Sequence, residues 1–64
     1  MKPKELKNLA KRIAEAEYII QNSTDAKEIS KAQGTILELS KKAVSFEDIM
    51  TLDEMVQEIL SQKN

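Results

Sequence analysis

The chain has 64 residues, 41% apolar and 33% charged, with a formal net charge of −1 and neither Cys nor His. Disulfides are excluded, as are the thiolate and imidazole ligands of zinc, copper and iron–sulfur sites, and the composition is that of a folded domain rather than a disordered tail. One Gly and one Pro leave too little turn chemistry for hairpins and sheets, so the expected fold is all-α: an antiparallel helical hairpin plus a third, shorter helix, a three-helix bundle open to completion by dimerisation.

A single small helical domain over 1–64 is expected, with helices over about 3–21, 25–43 and 46–62 and a break near 50–51. Pro3 suits the first turn of a helix and nothing further in. From there Leu6, Leu9, Ile13, Ala16 and Ile20 recur in alternating steps of three and four, the seam of helices packed side by side. The polar run Gln21-Asn22-Ser23-Thr24 breaks the pattern, and Asp25 is placed to cap a second helix, with Glu28 at capping-box spacing. Ile29, Ala32, Ile36, Leu39 and Ala43 repeat the same steps. Two matched seams across a short polar link predict the hairpin. Gly34 falls opposite the second seam, where it costs about 1 kcal/mol relative to Ala.

The third segment carries two start signals. Ser45-Phe46-Glu47-Asp48, flanked by Val44 and Ile49 as a hydrophobic staple, is followed six residues later by Thr51-Leu52-Asp53-Glu54, flanked by Met50 and Met55. Two complete signals in succession favour a one-turn helix before a longer one. Leu52, Met55, Val56, Ile59 and Leu60 form the apolar face of the latter, and Ser61 to Asn64 are expected to fray.

Charge is sorted along the chain. Residues 1–14 carry five cations against one acid, and residues 45–64 carry five acids against one cation. Cations at a helix N-terminus oppose its dipole, so the acidic third helix is expected alongside the first, in the same chain or across a dimer.

Enzymatic chemistry finds little support. The common general base and the thiol nucleophile are missing, Ser40 and Lys41 diverge on a helix, and Glu54 with Glu58 are too few ligands for a cation. No phosphate-binding or calcium-loop motif is present. No catalytic residue, cofactor, metal or small-molecule substrate is expected. The 45–60 region has the rhythm of a helix-turn-helix, but Asp53, Glu54 and Glu58 would repel phosphate. No apolar run approaches the roughly 20 residues of a membrane span, and no apolar stretch follows the basic start. A cytoplasmic, complete small protein is the expectation.

What remains is a non-enzymatic protein-binding module, a small regulator, inhibitor or assembly factor whose partner is another protein or its own copy. The alternative is a small DNA-binding or DNA-mimicking accessory protein. Candidate partner-binding residues are Tyr18, Ile19, Leu37, Phe46, Met50, Met55 and Leu60, since aromatic and Met side chains anchor interfaces. Structural readings stand beside these. Ile19 would widen the first stripe toward the third helix, Leu37 would lie under that helix, and Phe46 would be core. Were the third helix not to fold back, Leu37, Val44, Ile49, Val56 and Leu60 would form an apolar surface too large to leave in water.

Overall fold

Pro3 occupies the first turn of helix α1 (Pro3–Asn22), in the computed structural model, which describes residues 1–63 apart from the side chain of Lys63. The Lys2 carbonyl accepts the first bond, from the Leu6 N–H at 3.0 Å, and no side chain caps this end. α1 stops where the polar link begins. The Ser23 N–H reaches the Ile19 carbonyl at 2.8 Å and Asn22 Nδ2 donates to the Tyr18 carbonyl at 2.9 Å.

α2 (Ala26–Ser40) starts as expected, with the Asp25 carboxylate accepting from the Lys27 N–H at 2.9 Å. The reciprocal half of the capping box does not form. Glu28 instead accepts from Ser23 Oγ at 3.1 Å, and that same Oγ accepts from the Asp25 N–H at 3.1 Å. α2 also ends three residues before the predicted limit at Ala43. The chain tightens there into i→i−3 bonds, Lys42 N–H to the Leu39 carbonyl and Ala43 N–H to the Ser40 carbonyl, each 3.2 Å. Ala43 still reaches the core.

α3 runs unbroken from Phe46 to Lys63, so the predicted break near 50–51 is absent. Ser45 acts as the cap: its Oγ accepts from the Asp48 N–H at 3.1 Å and its carbonyl accepts from the Ile49 N–H at 3.0 Å. Once the helix is launched, each added residue gains one bond for the one residue it fixes, and Thr51 is carried through as an interior residue. The staple does not form either, because Val44 is 85% exposed. Ser61 and Gln62 stay helical instead of fraying, and the expectation for Asn64 lies outside the described residues.

The three helices form a small all-α bundle with α1 at its centre. α1 packs against both α2 and α3, which touch each other far less. The core joins Leu6, Leu9, Ala10, Ile13 and Ala14 of α1 to Leu39, Ala43, Leu52 and Val56, with Ile36, Met55, Ile59 and Leu60 half-buried around it. Serving two neighbours, α1 buries more than a single seam. Ala10 and Ala14 are fully covered although neither lies on the three-four pattern, and their small side chains let a helix approach closely. Among the described residues, no helix is long and apolar enough to cross a membrane.

The arrangement is open. The chain exposes 4875 Å², about 700 Å² more than the scaling law for compact monomers assigns to its mass. Its radius of gyration, 11.7 Å, likewise exceeds the value of about 10.7 Å expected for this length.

Candidate functional site

Four of the exposed large apolar residues lie where α2 hands over to α3. Val44, Phe46, Ile49 and Met50 are all exposed, Phe46 to 76%. Phe46 is therefore not core, and the reason is angular. At 100° per residue, Phe46 lies about 120° and Met50 about 160° around the helix from Leu52, which points into the core. The continuous helix carries both away from α1.

Beside this corner lies a cleft of about 170 Å³ between α2 and α3, floored by α1. Ile13, Ile36, Ala43, Ile49, Leu52 and Val56 give it apolar walls, and Glu17, Ser40 and Asp53 give it a polar rim. The cleft exists because α2 and α3 rest on α1 rather than on each other. Charges of both signs flank the apolar corner in sequence. Lys41 and Lys42 precede it, with Lys41 Nζ at 4.0 Å from Glu38 on an exposed surface, Glu47 and Asp48 lie within it, and Asp53 follows. Asp48 is already engaged: its Oδ2 accepts from the Met1 amino group at 3.2 Å, tying the chain start to the first turn of α3.

That ion pair bears on the charge asymmetry. α3 does lie against α1, and Lys7 and Glu58 line one groove with Met55, Ile59 and Gln62. Among the described residues, however, no lysine or arginine side chain of α1 comes within ion-pairing distance of an α3 acid. The attraction between the helices is diffuse, the weak and salt-sensitive kind.

The other candidates are dispersed. Leu37 is 66% exposed on the outer face of α2 and is not covered by α3, since it lies about 160° around the helix from the buried Leu39. Gly34 shares that face, with nothing within 4 Å of where a Cβ would stand. Tyr18 and Ile19 are each somewhat over one-third exposed. Ile19 does not reach the third helix. It lines a groove of about 340 Å³ between α1 and α2, with Ala16 and Ala32 as floor and Arg12, Glu15, Glu28, Lys31 and Thr35 around it. Met55 and Leu60 are half-buried against the core, so they offer a partner only their outer edges.

The staple expected from Val44 and Ile49 overlooked that both stay exposed at the start of α3. The available signal was the angular distance of Phe46 and Met50 from the seam of a single long helix. Among the described residues, no group of three or more acids is gathered to hold a metal ion. Compared with known protein families, with curated proteins and with solved structures, the chain matches none.

Proposed function

We propose that this chain is a non-enzymatic protein-binding module, a small regulator, inhibitor or assembly factor that works through helix–helix contacts. One observation carries the reading: Val44, Phe46, Ile49 and Met50 stand in solvent at the start of α3 while Leu, Ile, Val and Ala residues fill the core. Scattered exposed apolar groups are ordinary, but four within residues 44–50 are a concentration that favours a contact surface. Aromatic and Met side chains are what interface centres use. The adjoining cleft supplies concave apolar walls with a polar rim, the form in which a groove accepts a side chain from a partner helix. The reading places no catalytic group, cofactor or metal in this protein.

The test compares two immobilised baits in an extract of the native host, the natural chain and Phe46→Glu. The expected result is a stoichiometric protein, identified by mass spectrometry, retained by the first and lost by the second. Equal retention by both, or none by either, contradicts the reading.

A further inference from the structure

We draw no further inference here: the strongest candidate, the exposed apolar face at the α2–α3 junction with Val44, Phe46, Ile49 and Met50, belongs to the site already described, and nothing in the structure shows what covers it.

Discussion

α1 and the start of α3 are both amphipathic helix, and the molecule treats them in opposite ways. α1 is enclosed on two faces, with Ala10 at 0% exposure, whereas the first turn of α3 presents its largest apolar side chain to water. In a chain this short there is surface for one well-packed element and not for three. Concentrating burial on α1 leaves several large apolar groups exposed, four of them at the α2–α3 junction where the proposed partner would bind. Stability and binding are therefore expected to sit in different residues.

The largest effect should come from the enclosed helix. Ile13→Ala is expected to cost about 2–5 kcal/mol out of a total of about 3–10 kcal/mol for a chain of this length, measured by urea unfolding. Loss of cooperative unfolding would be consistent with that. Overfilling the same helix is the complementary test: Ala10→Leu should cost about 1–3 kcal/mol in the same measurement, because α2 and α3 both press on α1. A neutral Ala10→Leu would mean that the helices are not closely packed there.

Smaller effects separate the two start signals of the third segment. Ser45→Ala should cost about 1 kcal/mol by loss of the cap, while Thr51→Ala should stay within about 0.5 kcal/mol. The reverse order would restore the broken helix. On the outer face of α2, Gly34→Ala should stabilise by about 1 kcal/mol, raising the thermal midpoint by about 4–8 °C, since an added methyl meets nothing within 4 Å.

How far these features could be read from residues alone differs along the chain. The two seams were readable because each helix needs one buried stripe, and Leu6, Leu9, Ile13 and Leu39 are where the three-four pattern puts them. Ala10 and Ala14 were not, because a second buried stripe arises only when a helix has two neighbours, and Ala is as common on an exposed face. The Ser45 cap was readable, but not its priority over Thr51. Local signals mark where a helix can start, and only the continuing ladder decides whether the later one is used. Leu37 and Phe46 were assigned to the interior by the general rule that large apolar groups hide. That rule fails for these two residues, whose angles around their helices carry them away from α1.

The most direct measurement is the unfolding free energy of Phe46→Glu in dilute solution, set beside that of the natural chain. The expected result is a difference within about 0.5 kcal/mol, the ordinary range for a surface position, with the acid favoured by its place in the first helical turn. A loss of about 2 kcal/mol or more, of the size seen when core side chains are removed, would place Phe46 in the interior and contradict the division between an enclosed α1 and a corner left for binding.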